Sequence, residues 1–583
     1  MVKKLVGCIG EYKKETIQTP IFVGVECAFE VLIPLIMARL IDSGVEKGRM
    51  DIIIIYGLVL LAASMVSLAG GVTAGKTAAV AAAGFAANLR KKMFYNVQTF
   101  AFSNIDKFSA GSIVTRLTTD ITNVTMAFQM IIRGAVRSPL MLVFSLAAAF
   151  SIHKGLSLIF LAMVPIMAVG LAIIMKTTFP VFDRMFKVYD KMNNRTQENL
   201  HGIRVVKAFV REKHETEEFR GISGEIYDLS SKAERILAFN MPIVQVCLYG
   251  SLLLISWFGA HVIVASGGDA ALGLSTGELM SLLTYVMQIL ISLMMLSMIF
   301  VMVTMAKSSG ERIGEILDEK TDLKNPENPV LTVPSGAVEF DNVSFSYYGE
   351  GGRKVLKNVN LKIASGESIG IIGGTGSSKS TLVQLIPRLY DVTEGSVKVG
   401  GVDVREYDMK ALREQVSMVL QKNTLFGGTV ASNLRWGDEK ATDEELKRVC
   451  RLACADEFVE KMEGGINAVI EQGGTNVSGG QKQRLTIARA LLKKPKILIL
   501  DDSTSAVDTH TDAEIRKALK GELPETTKII IAQRISSVKD LDRILVINDG
   551  AVVAFDTHDA LMASCDIYKE IYESQMRGGL GDE

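Results

Sequence analysis

Apolar positions divide the chain into two halves of different rhythm. In the first half, six long apolar stretches stand at about Thr19–Ile41, Ile52–Val72, Ala135–Ser151, Leu156–Met175, Met241–Ala265 and Leu279–Val303. A bilayer-spanning helix needs about 20 mostly apolar residues, so each stretch predicts one. The connections SGVEKGRMD, SIHKG and SGGDAALGLS are short. Those between spans two and three, and between spans four and five, are long. They contain NLRKKMFYNV, SNIDKFSAGSIVTRLTTD and VFDRMFKVYDKMNNRTQENLHGIRVVKAFVREKHE. Their Lys and Arg content places them in the cytoplasm, and their helical patterning predicts membrane helices that continue past the bilayer. Past Ser309, SSGERIGEILDEKTDLKNPENPVLTVPSG reads as a helix end followed by a proline-bearing linker. From Val338 onward, short β-branched runs alternate with amphipathic helices, the pattern of an α/β domain with a parallel sheet. The predicted organisation is an all-α membrane domain of six helices over 1–318, a linker over 319–337 and an α/β domain over 338–583.

Composition agrees with this division. A chain of 583 residues exceeds one hydrophobic core. The 48% hydrophobic content and mean hydropathy of +0.27 fit a membrane half. A net charge of zero gives no reason to expect nucleic acid as a partner. Six scattered cysteines make no disulfide framework. Cys450 and Cys454, four apart on a predicted helix, lack the further His or Cys of a metal site and read as small core residues. The N-terminal MVKKLVGCIGEYKKET is expected to be an interfacial helix rather than a removable leader.

Candidate chemistry begins at ESIGIIGGTGSSKSTLVQLI, a strand, a glycine-rich turn and a helix start. Gly373, Gly374, Thr375, Gly376, Ser377, Ser378, Lys379, Ser380 and Thr381 follow the phosphate-binding pattern G-x-x-x-x-G-K-[ST], with Ser378 in place of the last glycine. Backbone N–H groups and the helix N-terminus cradle phosphates in such a loop. Lys379 is expected to reach the β- and γ-phosphates and Ser380 to ligate Mg²⁺. If φ is positive at Ser378, its Cβ costs about 1–2 kcal/mol and weakens nucleotide binding without abolishing it.

Farther on, NVSGGQKQRLTIARALLKKPKILILDD carries Val477, Ser478, Gly479, Gly480 and Gln481 at a helix start, followed by a buried strand ending in two aspartates. With the six spans, these motifs resemble the ATP-binding cassette superfamily over essentially the whole chain, as a half-size exporter. The resemblance implies ATP and Mg²⁺ as ligands. It implies that VSGGQ is the signature LSGGQ, with Val477 for Leu. It further implies that Tyr347 stacks on adenine, with Tyr348 the alternative, and that Gln421 is the Q-loop glutamine, touching Mg²⁺ or water. Asp501 becomes the Walker B aspartate of the metal shell, and Ser505-Ala506-Val507-Asp508 the D-loop. The segment EQGGTN, with Glu471, is implied to contact cytoplasmic helix ends.

Besides Ser378, two more positions of the ATP-cleaving site differ from the family. The acid after Walker B is glutamate in the family and Asp502 here, and the later histidine is Gln533. Asp502 sets its carboxylate back by about 1.5 Å, and Gln533 carries no positive charge. Catalysis is therefore expected to be slow or absent at this chain's own Walker site. In the family, each ATP lies between one Walker site and the other cassette's signature. The intact VSGGQ beside a weakened Walker site thus implies a heterodimer, with a second half-transporter that carries Glu and His. The cargo is expected to be a drug, lipid or peptide, moved by alternating access across a bacterial cytoplasmic membrane. A homodimeric lipid flippase and a nucleotide-gated regulator or channel-like protein are the alternatives.

In the membrane half, Glu26 and Glu30 lie four apart on one face of the first span. They read as a cavity-facing polar patch or as a helix–helix pair. The methionine-rich last span near Gln288 suits either apolar cargo or packing. Phe128, Met130 and Arg133 are further candidates. Short helices near Ser103–Gly111 and Glu198–Val206 are expected to touch cassettes.

Overall fold

The computed structural model describes residues 2–266, 273–349, 351–503 and 507–578. Six of the described helices are long and apolar enough to cross a membrane: Gly10–Val45, Met50–Gln98, Ala110–Ile152, Lys154–His201, Glu212–Ser266 and Thr276–Asp318. At 1.5 Å per residue, the 49 residues of Met50–Gln98 extend about 74 Å. The hydrocarbon layer is only about 30 Å thick, so the helix continues far into water.

The second of these helices shows how sequence sets packing. Ile54, Leu58, Leu61, Met65 and Leu68 recur at helical spacing and are each more than half exposed, a face suited to lipid. Farther along, Ala74, Ala78 and Ala81 are fully buried. A Cβ on Gly70 would stand 3.2 Å from the Glu26 backbone nitrogen, so small residues let the first two helices approach closely. Pro34 interrupts the backbone ladder of the first helix. Beside it the last helix bonds back to the first: Tyr285 donates to the Val31 carbonyl at 2.7 Å and Ser281 to that of Pro34 at 2.6 Å.

The chain forms two compact units, one of Met1–Gln98 and Ala110–Glu319, the other of Thr99–Ser109 and Lys320–Glu583. The division drawn from sequence kept 99–109 with the membrane helices, whereas here it packs with the α/β domain. Within that unit, Phe102 of helix Phe102–Lys107 stacks on Tyr390 at 6.0 Å, and the Tyr390 hydroxyl donates to Asp106 at 2.7 Å. Asn104 ties the helix down by donating to the Lys320 carbonyl at 3.3 Å.

Among the described residues, the α/β domain holds three sheets. The first is antiparallel, ordered β2-β1-β4-β5, from β1 (Val338–Phe345), β2 (Leu356–Ile363), β4 (Glu394–Val399) and β5 (Val402–Asp403). The second has six strands, ordered β12-β11-β3-β10-β9-β6. Its members are β3 (Ser368–Ile372), β6 (Val416–Val419), β9 (Ile497–Asp501), β10 (Thr527–Ile531), β11 (Arg543–Asn548) and β12 (Ala551–Asp556). All its pairings are parallel except β11 with β12. A short ribbon joins β7 (Gly428–Thr429) to β8 (Val469–Ile470). Every residue of β9 and β10 is buried, as expected for central strands covered on both faces.

One local expectation changes. The helix carrying Cys450 ends at Leu452, and Cys454 lies beyond it at φ +51°. The pair does not share a helical face. Burial still pushes both thiols up from their ordinary range, with Cys450 at about 12.

Candidate functional site

Register in the parallel sheet builds the site. Ile531 pairs with Asp501 and with Ile371, and Val419 pairs with Leu500. The carboxyl ends of β3, β10, β9 and β6 therefore lie level, and the residues just past them converge. These are the Gly373 loop, Gln533, Asp502 and Gln421.

After β3 the chain turns through the glycine-rich loop into helix Lys379–Gln384. A Cβ on Gly373 would meet the Ile547 carbonyl oxygen at 2.1 Å, so glycine is required for the loop to leave the sheet there. Gly376 has φ +80°. Ser378 has φ +72° and ψ +24°, the left-handed conformation on which its predicted strain depended. Lys379 folds back and donates to the carbonyls of Gly373 and Gly374, both at 2.8 Å. Burial lowers its pKa, while Asp502 and Asp501 act the other way.

Ser380 donates to Asp501 at 2.9 Å, across 121 residues of sequence. The Asp501 carboxyl is raised above its ordinary range, first by burial and then by the charge of Asp502, against the Ser380 hydrogen bond and Lys379. A carboxylate so placed gains from a cation. Asp501 and Ser380, with Gln421 nearby, thus make an oxygen-rich donor set suited to Mg²⁺.

Asp502 is 8% exposed and has φ +48°. Its backbone nitrogen donates to the Ile531 carbonyl at 3.1 Å. Its Oδ2 accepts from the Gln533 amide at 2.6 Å and from the Gln421 amide at 3.4 Å. The three residues taken from separate motifs therefore form one polar cluster. Sequence reading missed a fourth member. Gln575, from the C-terminal helix, donates to the Gln533 carbonyl at 2.8 Å and accepts from the Ile535 nitrogen at 2.8 Å. That contact joins residues 42 apart with no local pattern to announce it.

Of the two aromatic candidates, Tyr347 lies beside the loop. Its hydroxyl stands 2.9 Å from the Thr381 hydroxyl, and its ring meets those of Phe345 and Tyr390 edge-on at 4.9 and 5.2 Å. Tyr348 is 87% exposed. Thr381, which follows Ser380 at the end of the loop pattern, is buried and bonds to Tyr347. At the other motif, Ser478 caps helix Gly479–Leu492. Its Oγ accepts from the Gln481 nitrogen at 3.3 Å, and its own nitrogen donates to the Gln481 side chain at 2.9 Å. This reciprocal box fixes the helix start and leaves Gly479 and Gly480 in its first turn. In EQGGTN, Glu471 accepts from Thr475 at 2.5 Å, and Gly473 and Gly474 take φ +75° and +64°. Ser505 and Ala506 of the D-loop lie outside the described residues, while Asp508 caps the next helix by accepting from the Thr511 nitrogen at 2.9 Å.

In the membrane unit, Glu30 accepts from Arg137 at 2.6 Å, and Glu26 stands 3.4 Å from the same guanidinium. Glu26 also lines a cavity of about 500 Å³, whereas Glu30 is not among its lining residues. Gln288 accepts from Ser145 at 3.0 Å as a helix–helix tie, and Phe128 stacks on Phe85 at 4.6 Å. Met130 and Arg133 face the cavity.

Six membrane-length helices followed by a P-loop α/β cassette with a capped signature-like helix define an exporter-type membrane transporter subunit. The sequence matches the family description "ABC transporter transmembrane region" over residues 19–294 and "ABC transporter" over residues 356–505. It is 35% identical to the ABC transporter ATP-binding protein YfiB of Bacillus subtilis over 94% of each chain. To the ATP-dependent lipid A-core flippase of Desulfotalea psychrophila it is 30% identical over 84% of each. A solved bacterial Atm1-family ABC exporter with ATP bound shares the fold, with a TM-score of 0.80, covering 97% of this chain and 99% of that one at 22% identity. The chain belongs to the ABC transporter family, as a multi-pass membrane protein with an ATP-binding cassette.

Proposed function

We propose that the chain is one half of a heterodimeric ATP-driven exporter, with a degenerate Walker site of its own and a working signature that serves its partner's ATP. The observation that carries this reading is the Asp502 cluster. Asp502 stands where the family pattern has glutamate, and the amide that holds it at 2.6 Å, Gln533, stands where the pattern has histidine. A neutral amide stabilises a developing negative charge less than an imidazolium does. In this reading Lys379 leaves the Gly373 and Gly374 carbonyls for the nucleotide phosphates. Tyr347 receives the adenine, and the backbone from Gly373 to Thr381 cradles the phosphates. Ser380, Asp501 and Gln421 hold Mg²⁺, which neutralises phosphate charge when bound. On the opposite face Val477, Ser478, Gly479, Gly480 and Gln481 present a helix N-terminus to the partner's nucleotide. The exposed Val205, Phe209 and Val210, at 61%, 73% and 78%, suit docking on the partner's cassette.

The test is ATP turnover by the purified full chain alone and with a co-expressed second half-transporter that carries Glu and His. Turnover is expected only in the pair. It should be lost on Ser478→Arg in this chain, and retained on Asp502→Asn. Full turnover by the chain alone would refute the asymmetry. It would favour a homodimeric lipid translocase, a second reading supported by the 30% identity to a lipid A-core flippase.

A further inference from the structure

The cavity in the membrane unit has a composition that its packing alone does not explain. Five methionines line it: Met126, Met130, Met141, Met295 and Met302. They come from the third and sixth helices and supply a soft, adaptable apolar wall. Into the same space projects Arg133, within a π-helical turn spanning Met130–Gly134. A turn of this kind is uncommon and tends to mark functional positions.

The charges around the cavity are unequal in their satisfaction. Arg137, one turn beyond Arg133, is shared by Glu26 and Glu30. The Glu26 Oε2 is buried and turned toward Gly71, where an added Cβ would stand 3.4 Å from it. Glu26 thus packs against the second helix while also lining the cavity beside Arg137. Arg133 makes no ion pair or hydrogen bond among the described residues. The facing position is Gly75, where a Cβ would stand in ordinary contact, 3.6 Å from the guanidinium. A partly buried guanidinium with no ion pair of its own gains from an anionic partner.

We infer that this cavity binds an amphiphile with a single anionic head, phosphate or carboxylate, with the head on Arg133 and the apolar body against the methionines. The inference deepens the exporter reading by giving a class of cargo. It depends on that reading only for the direction of movement.

The test measures binding without nucleotide, using the full chain in phosphatidylcholine nanodiscs with empty discs as blank. The probe is 11-(dansylamino)undecanoic acid, whose emission shifts to the blue in apolar surroundings. Displacement is followed with three amphiphiles of equal chain length: dodecyl phosphate, dodecyltrimethylammonium and a neutral dodecyl polyether. Dodecyl phosphate is expected to displace the probe best. Arg133→Gln should weaken dodecyl phosphate by about tenfold or more while leaving the polyether unchanged, because one charge-assisted contact is lost. Arg133→Lys should retain most of the preference, which separates loss of charge from misfolding. Met130→Ser with Met295→Ser should weaken all three.

An Arg133→Gln variant with the wild-type preference would overturn the inference. So would equal displacement by the ammonium amphiphile, or displacement by inorganic phosphate alone. Phosphatidylglycerol added to the disc that competes identifies a membrane lipid as the source of the head group. Competition by the free amphiphile only identifies a soluble acid, and either supports the site. None of these outcomes depends on ATP turnover, so failure here and failure of the heterodimer reading are distinguishable.

Discussion

Lengthening Asp502 to glutamate separates a geometric defect from an electrostatic one. In the structure the Asp502 Oδ2 lies 2.6 Å from the Gln533 amide and 3.4 Å from that of Gln421. One more methylene advances the carboxylate by about 1.5 Å, and a displacement near 1 Å costs on the order of a hundredfold in rate. If geometry were the only fault, Asp502→Glu would recover about that factor. Gln533 remains, however, and an unsuitable stabilising donor costs about 10²–10³ by itself. A longer carboxylate also still meets a neutral amide that donates to it, rather than an imidazole that can bridge it to the phosphate. Asp502→Glu alone is therefore expected to raise turnover by less than about tenfold, and Gln533→His alone by a similar amount. Together they should recover about 10²–10⁴, the usual contribution of a positioned base, since residues acting as a unit are not additive. The assay is single-turnover hydrolysis of γ-phosphate-labelled ATP by the full chain in nanodiscs, with Lys379→Ala as blank. Recovery of about a hundredfold by Asp502→Glu alone would refute the reasoning and place the whole defect in one methylene.

Three further predictions follow from the geometry. Ser378→Gly removes a left-handed φ costing about 1–2 kcal/mol but adds unfolded-state freedom of about 0.4–1. Chemical denaturation should show a net gain of about 0.5–1 kcal/mol, and equilibrium titration with labelled ATP should show tighter binding; unchanged affinity contradicts the strain argument. The raised Asp501 carboxyl holds its proton more firmly folded than unfolded. Its contribution is thus fullest below the ordinary carboxylate range and is lost as pH rises through the raised pKa. Asp501→Asn should remove that loss, so the nucleotide-free variant gains on the wild type between acid and neutral pH in denaturation series. Arg137→Ala strands Glu26 and Glu30 and should cost about 1–3 kcal/mol in thermal unfolding, less than the 3–5 of a fully buried pair. The reduction arises because the guanidinium is 35% exposed, and Glu26→Gln with Glu30→Gln should restore most of it.

Features written in contiguous residues were legible before the structure. Six apolar runs yielded six membrane-length helices, and GGTGSSKS yielded a loop with Ser378 in the left-handed region that its position demands. The Asp502 cluster was half legible. Its members could be named from their motifs, but their joining depends on strand register, which pairs Ile531 with Asp501 and Val419 with Leu500. What depends on distant partners was not legible. Gln575 carries no motif, and the Tyr390–Asp106 bond spans 284 residues. In the membrane half, sequence could place Glu26 and Glu30 on one face and single out Arg133, but could not say which cation was already taken. That follows from side-chain geometry and from two glycines, Gly71 and Gly75, on a different helix.

The attachment of Thr99–Ser109 to the α/β unit bears on how such proteins can be recombined. A cassette severed at the linker would leave behind Phe102, Asn104 and Asp106, and with them the covers of Tyr390 and of the Lys320 carbonyl. Its bare aromatic face would invite self-association in water. A cassette grafted onto another relative's membrane helices would meet a foreign version of the same short helix. The unit of inheritance in this chain is therefore discontinuous: a swap that respects folding has to carry two segments, one of them taken from the middle of the membrane half.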